Sequence, residues 1–466
     1  MRGRAAFRIC TGLLALFCAV GLARVVAVTG LQVPLDPNEG WNAYHALHAM
    51  SGGALYPASD TFLYNNYPPL SYYIVGALGS LIGDNIVAGR IFSLISTFAM
   101  AYGIFLSARR MNADTASAVF ASLLFIAGLL VFTDYVGMDD PQLLGHAITM
   151  AGLVILLKEP RSFRDVVIVA LLMTAAGFIK HNLIALPVTI FLWLAMFDRR
   201  SAVQFALSGV GFALAGFAIF RFAYGTDLLH HLISPRTYSF GLLASAVANW
   251  LVWANVALIG LTALFALRRY DKYVVFVTLY AFVAILAGAM FAGGAGIDMN
   301  IWFDAMIALA LGTALTLDRL AASGRLRAAA AIVYMLPLAA GLTLSWDNSW
   351  LERDFWLHPL SEEAAMANAD IAFIESHHGP ALCETLSFCY WAKKSEDVDV
   401  FNLGQAYATR KRSDDALVLL LNARRYASIE FDSMDDFALT PHVKQTLLRD
   451  YRVDHANDEG IFLVPR

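Results

Sequence analysis

Runs of about twenty consecutive apolar residues recur from residue 9 to about residue 345, each long enough as a helix to cross a hydrocarbon layer roughly 30 Å thick. A chain patterned this way cannot hide its apolar surface in one water-soluble core. With 59% hydrophobic and only 15% charged residues, it belongs with integral membrane proteins. The pattern changes at Trp346. From there to Arg466 charges are frequent, among them Glu352, Arg353, Asp354, Glu362, Glu363, Lys393 and Lys394, and no run is long enough to span a bilayer. Apolar stretches at 416–421 and 460–464 alternate with polar turns, which predicts a small α/β soluble domain.

Basic residues set the orientation. Arg2, Arg4 and Arg8 precede a first apolar run that is longer than a signal-peptide core, carries Arg24 late and lacks a small-residue cleavage site. It is therefore expected to remain as an anchor, with a cytoplasmic amino terminus. Arg109 with Arg110, Lys158 with Arg161 and Arg164, Arg199 with Arg200, Arg268 with Arg269 and Lys272, and Arg319 with Arg325 and Arg327 fall on the same side. Loops around 134–140, 180–182, 223–240 and 293–300 hold few basic residues and belong outside. A crossing by 68–83 would invert every later cluster, so that segment is laid along the outer surface or dipped into it.

The expectation is a polytopic α-helical membrane protein with about 11 transmembrane helices. They are placed at 9–30, 86–108, 115–133, 141–157, 164–179, 182–197, 202–222, 242–267, 273–291, 301–317 and 328–345. Interfacial helices are expected in a first outer loop, 31–85, and an odd count puts the tail outside. The membrane domain is 1–345 and the soluble domain 346–466. No basic tract of the nucleic-acid-binding kind occurs, so membrane lipids and not nucleic acid are the expected surroundings. Cys10 and Cys18 lie in the first span. Cys383 and Cys389 lie in the tail, where an oxidising compartment would permit a disulfide.

The first outer loop carries the most chemistry. Leu35-Asp36-Pro37-Asn38-Glu39-Gly40-Trp41 sets two carboxylates directly after the first span, and Trp41, Tyr44, His45 and His48 follow at helical spacing. Tyr64-Asn65-Asn66-Tyr67-Pro68-Pro69-Leu70-Ser71-Tyr72-Tyr73 adds a rigid aromatic segment without a basic residue. Acidic residues at a helix start also serve as plain caps. Further polar groups on the outer side are Met138-Asp139-Asp140-Pro141 and Gly177-Phe178-Ile179-Lys180-His181-Asn182, with Gly293-Gly294-Ala295-Gly296-Ile297-Asp298-Met299-Asn300 later in the chain.

In these motifs, their order and their sidedness the chain resembles the GT-C superfamily of membrane glycosyltransferases, in the bacterial branch similar to protein mannosyltransferases and lipid A aminoarabinose transferases. Two departures stand out. The family's acidic motif often reads Asp-Glu, where this chain has Asn38-Glu39, and the aminoarabinose-transferase branch places a Lys before the Pro-Pro segment, where this chain has Asn66 and Tyr67.

The resemblance implies transfer of a sugar from a polyprenyl-phosphate donor to a glycan, lipid or protein acceptor on the periplasmic face of a bacterial inner membrane. Such a reaction needs a carboxylate to take the acceptor's proton, cations or amides to meet the departing phosphate, and an apolar groove for the lipid. Glu39 or Asp36 is the base candidate, with Glu39 preferred. Asp139, Asp140, Lys180, His181, Arg236 and Tyr67 are the candidate substrate contacts, Lys180 leading for phosphate because an unpaired lysine in a bundle must face a wet cavity. The histidines show no zinc-type spacing, and neither metal nor cofactor is expected. A transporter or flippase of a lipid-linked amphiphile is the alternative, though no half-chain repeat is visible.

Overall fold

Aspartate and serine caps mark the starts of helices in the computed structural model, which describes residues 2–234, 236–344 and 359–466. The helices are α1 (Arg2–Val28), α2 (Pro37–Ser51), α3 (Leu70–Ile82), α4 (Asn85–Arg110), α5 (Thr115–Phe132), α6 (Pro141–Leu156) and α7 (Phe163–Ile179). They continue as α8 (Ala185–Phe197), α9 (Arg199–Tyr224), α10 (Asp227–Leu232), α11 (Phe240–Arg268), α12 (Lys272–Phe291), α13 (Phe303–Arg319) and α14 (Gly324–Leu344). Asp84, Asp114, Asp198 and Asp271 each accept backbone N–H groups at the start of the helix that follows, and Ser162 with Asp165 forms a capping box on α7. Lipid offers no partner for an open backbone, so helices with capped ends are what such a sequence can form.

Eight of these helices are long and apolar enough to cross a membrane. The segments expected to span at 141–157, 164–179 and 182–197 form α6, α7 and α8, of 16, 17 and 13 residues. Polar turns at 133–140, ahead of α6, and at 180–184, between α7 and α8, carry the candidate site. The segment at 68–83 forms α3, whose 13 residues reach roughly 20 Å at 1.5 Å per residue, the same length as α8. α13 runs through the centre of the bundle against α5, α11 and α12. α9 lies at its rim with Leu207, Leu214, Ile219 and Phe222 exposed, which only lipid solvates well.

The described part of the tail holds α15 (Leu360–Ser376), β1 (Ala381–Cys383), α16 (Leu386–Trp391), α17 (Val400–Ala408), α18 (Asp415–Asn422), β2 (Ser428–Phe431), α19 (Pro441–Asp450), β3 (Tyr451–Asn457) and β4 (Gly460–Pro465). The sheet order is β1-β2-β4-β3, with β1 parallel to β2 and the other pairs antiparallel. Cys383 and Cys389 form a disulfide that ties β1 to α16. The expected domain junction at residue 346, with Glu352, Arg353 and Asp354, lies outside the described residues.

The tail shares a core with the first outer loop. Trp41, Tyr44, Leu55, Tyr56 and Tyr72 pack in one buried cluster with Ile371, Leu386, Phe388, Trp391 and Phe462. Gly40 makes this approach possible: a Cβ there would stand 2.1 Å from the Ser387 backbone nitrogen, closer than any side chain can come. Hydrogen bonds reinforce the seam, from Trp391 Nε1 to Asp84 Oδ2 at 3.0 Å and from the Tyr44 hydroxyl to the Lys394 carbonyl at 2.8 Å.

Candidate active site

Asp36 caps α2. Its backbone is extended, its carboxylate accepts the Asn38 N–H at 2.7 Å, and Pro37 sits in the first turn where no N–H is needed. This start turns Glu39 inward to a fully buried position. There Arg90 of α4 donates Nε to Oε1 at 2.8 Å and Nη2 to Oε2 at 2.5 Å. The Leu35 N–H reaches Oε2 and the Asp139 N–H reaches Oε1, both at 3.0 Å. Remaining Arg90 N–H groups go to the carbonyls of Val28, Leu31 and Val33. A carboxylate has about four acceptor positions, and all four are taken. Glu39, the preferred base candidate from sequence, is thus held in a buried ion pair with Arg90 and lines neither of the cavities described below.

Asp139 and Asp140 also stand back from those cavities. Asp139 is buried against Gly89 of α4, where a Cβ would meet its Oδ1 at 1.7 Å, and its main-chain carbonyl accepts Asn42 Nδ2 at 2.7 Å. Asp140 caps α6 and takes Lys180 Nζ on both oxygens, at 2.9 and 2.8 Å. Lys180 ends α7 and places its ammonium 4.2 Å from the centre of the Tyr67 ring. A lysine has three N–H donors; Asp140 takes two and the Tyr67 side chain also bonds the ammonium.

Tyr67 is held by its own loop. Buried Asn65 accepts the Tyr67 N–H and the Tyr72 hydroxyl on Oδ1 and donates Nδ2 to the Leu55 carbonyl, while the Tyr56 hydroxyl donates to the Tyr67 carbonyl. Trp41 packs edge-on against the Tyr67 ring with centroids 5.0 Å apart. His45 packs on Trp41 at 4.3 Å and its Nε2 meets the Tyr64 carbonyl.

Two cavities meet at Asn66, Tyr67, Arg236 and the turn carrying Gly296, Ile297 and Asn300. The first, of about 430 Å³, lies between the membrane loops and the tail and is walled by Asp36, Asp298, Glu384, Asp399 and Asp432. The second, of about 270 Å³, carries Lys180, His181 and Arg236 and is bordered by Leu232, Tyr238, Met290 and Phe291. Tyr238 and Met290 are themselves exposed, so this cavity opens on an apolar rim. A larger groove of about 870 Å³, beside Asp60, His230, Lys411 and Arg412, contains none of the sequence-predicted site residues.

Desolvation by the surrounding protein pushes the Asp36 carboxyl up to about 7, with Glu39 and Asp298 adding to the rise and the Asn38 N–H opposing it. Asp298 is raised in the same way, against the Met299 N–H that lowers it. Burial lifts Glu384 to about 7, and Asp432 adds to the rise. The chamber thus combines a carboxyl poised near neutrality with a neighbouring chamber of cations, a combination suited to proton abstraction beside a departing anion.

Of the residues named from sequence, Asp36, Tyr67 and Arg236 face the acidic chamber, and Tyr67, Lys180, His181 and Arg236 face the cationic one. Sequence reasoning missed Arg90, Asp298 as a wall residue, and Asp399. Arg90 had a readable signal, being a charge inside the 86–108 span, where ionisable residues are costly and seldom idle.

A family model described as dolichyl-phosphate-mannose-protein mannosyltransferase matches residues 66–223. No curated protein matches the chain significantly in sequence. The fold aligns with ArnT from Cupriavidus metallidurans, solved bound to undecaprenyl phosphate, at a TM-score of 0.65 and 13% identity over 97% of this chain and 98% of that one. An Archaeoglobus fulgidus oligosaccharyltransferase tethered to an acceptor peptide aligns at 0.56 and 11% identity, over 95% of this chain and 72% of that one. AglB from the same organism, in complex with an inhibitory peptide and a dolichol-phosphate, aligns at 0.53 and 11%, over 90% and 69%. Likeness at such identity speaks for the fold. The chain is a polytopic membrane protein with the fold of the GT-C glycosyltransferase superfamily.

Proposed function

We propose that this protein transfers a hexosyl or pentosyl group from a polyprenyl-phosphate donor to a glycan, lipid or protein acceptor on the periplasmic face of a bacterial inner membrane, with its tail on that face. The observation that carries the reading is the junction of the acidic chamber with the cationic one at Tyr67 and Arg236. Bound undecaprenyl phosphate in one structural neighbour and dolichol-phosphate in another support a lipid-phosphate donor.

In this reading Asp36 takes the proton from the acceptor, whose freed lone pair forms the bond to the anomeric carbon. The bond from that carbon to the phosphate oxygen breaks, and the electron pair leaves with the polyprenyl phosphate. The Lys180 ammonium and the Arg236 guanidinium meet the added charge, and the lipid tail lies along the Tyr238 and Met290 rim. Glu39 with Arg90 and Asp140 with Lys180 hold these groups in place. The test is transfer of label by the purified chain from a panel of radiolabelled polyprenyl-phosphate sugars to extracted envelope acceptors, with Asp36→Asn beside it. Transfer by the wild type, lost in the variant, supports the reading. Transfer from no donor, with labelled lipid moved across liposomes instead, replaces it with a transporter.

A further inference from the structure

Helix α17 of the tail begins at Asp399, and this buried carboxylate is shared between the two walls that carry cations. Its Oδ1 accepts the Asn402 N–H at 3.0 Å. Its Oδ2 accepts the Asn402 side-chain Nδ2 at 2.7 Å and the Trp41 indole N–H at 3.0 Å, a donor that Trp41 shares with the Tyr64 carbonyl at 3.1 Å.

Each contact has a consequence further on. An amide that gives its NH₂ to Asp399 must turn its oxygen the other way, and Asn402 Oδ1 there accepts Arg236 Nη2 at 3.4 Å. Phe401, the preceding residue, lies 5.3 Å beneath the Arg236 guanidinium, and Gln405 Oε1 accepts both the N–H and the hydroxyl of Thr237. On the other wall, Trp41 backs the Tyr67 ring on which the Lys180 ammonium rests.

We infer that Asp399 is a positioning residue for both cations, Arg236 through Asn402 and Lys180 through Trp41 and Tyr67, so that the tail is a working part of the donor-phosphate site. The inference rests on the reading that these cations meet a lipid phosphate.

The probe is radiolabelled farnesyl phosphate, whose binding to the detergent-purified full chain is measured by equilibrium dialysis alongside donor kinetics and the melting temperature. Asp399→Asn forces an amide NH₂ against a donor, and Asn402→Ala removes the oxygen facing Arg236 while leaving Asp399 to cap α17. Each is expected to weaken binding and raise the donor KM by about tenfold, with kcat kept within about twofold. The double variant Arg236→Ala with Asn402→Ala should bind no more weakly than Arg236→Ala alone, because the second residue acts through the first. Binding by Asn402→Ala equal to the wild type, or losses that multiply in the double variant, would overturn the inference. If Asp399→Asn melts early, Asn402→Ala decides. Failure of the wild type to bind farnesyl phosphate would remove the proposed function, and this inference with it.

Discussion

Arg90 and Glu39 form a fork-to-fork pair in which both side chains are fully buried and every carboxylate position is occupied. The pair joins α4 to the first outer loop and, through the Asp139 amide, to the turn ahead of α6. It fixes the place from which Asp36 enters the acidic chamber.

Breaking that pair should unfold the loop before it touches the chemistry. Glu39→Gln or Arg90→Gln leaves an uncompensated buried charge and is expected to cost about 3–5 kcal/mol, read as a large fall in melting temperature of the detergent-solubilised protein. A Glu39→Gln variant with normal melting and abolished turnover would instead return the base role to Glu39.

Asp36→Asn keeps an N-cap of similar strength, so stability below about pH 4 should change little, while the rate at neutral pH falls by about 100- to 10,000-fold. The wild-type kcat/KM should rise with pH to a plateau, half-maximal at about 7, because the base works ionised and its carboxyl is pushed up to about 7. The sign for stability is opposite. A carboxyl raised on folding binds its proton more tightly in the folded state, so its ionisation between about pH 4 and 7 lowers stability, and the asparagine variant loses that slope. A pH-independent kcat/KM from 5 to 8 would remove Asp36 as base.

Lys180→Met should both melt early, since it strands Asp140, and lose polyprenyl-phosphate binding. Lys180→Met with Asp140→Asn should recover most of the stability, keeping the α6 cap, and none of the binding. Recovery of binding in the double variant would show that the pair is purely structural.

Gly40→Ala places a methyl group 2.1 Å from the Ser387 nitrogen. The tail must shift from α2, and a loss of about 1–3 kcal/mol is expected from overpacking. Limited proteolysis of the tail should accelerate in parallel; unchanged cleavage would mean that the seam is looser than its geometry implies.

The membrane architecture was legible because twenty-residue apolar runs leave little choice of fold. The polar turns flanking α6 and α7 were legible too, since 134–140 and 180–182 read as loops; the start of α8 was not, falling at Ala185 instead of 182. At the site, sequence could name Glu39 and Asp36 but not divide their roles. Arg90, the partner of Glu39, is 51 residues from it in sequence, and a pairing at that separation leaves no periodic trace. Asp399 was further out of reach, lying 358 residues from the indole it accepts. Lys180 was readable for the opposite reason, since a lone cation at the end of an apolar helix must face something polar.

The core that Trp41, Tyr44 and Tyr72 share with Leu386, Phe388 and Phe462 also has a bearing on biosynthesis. The first outer loop leaves the ribosome hundreds of residues before the strand that covers it, so during synthesis its aromatic face waits unburied at the membrane surface. Contacts so distant in sequence close late and leave apolar surface open in the meantime. A product truncated before residue 380 would keep that face open permanently, marking the unfinished chain for chaperones and proteases.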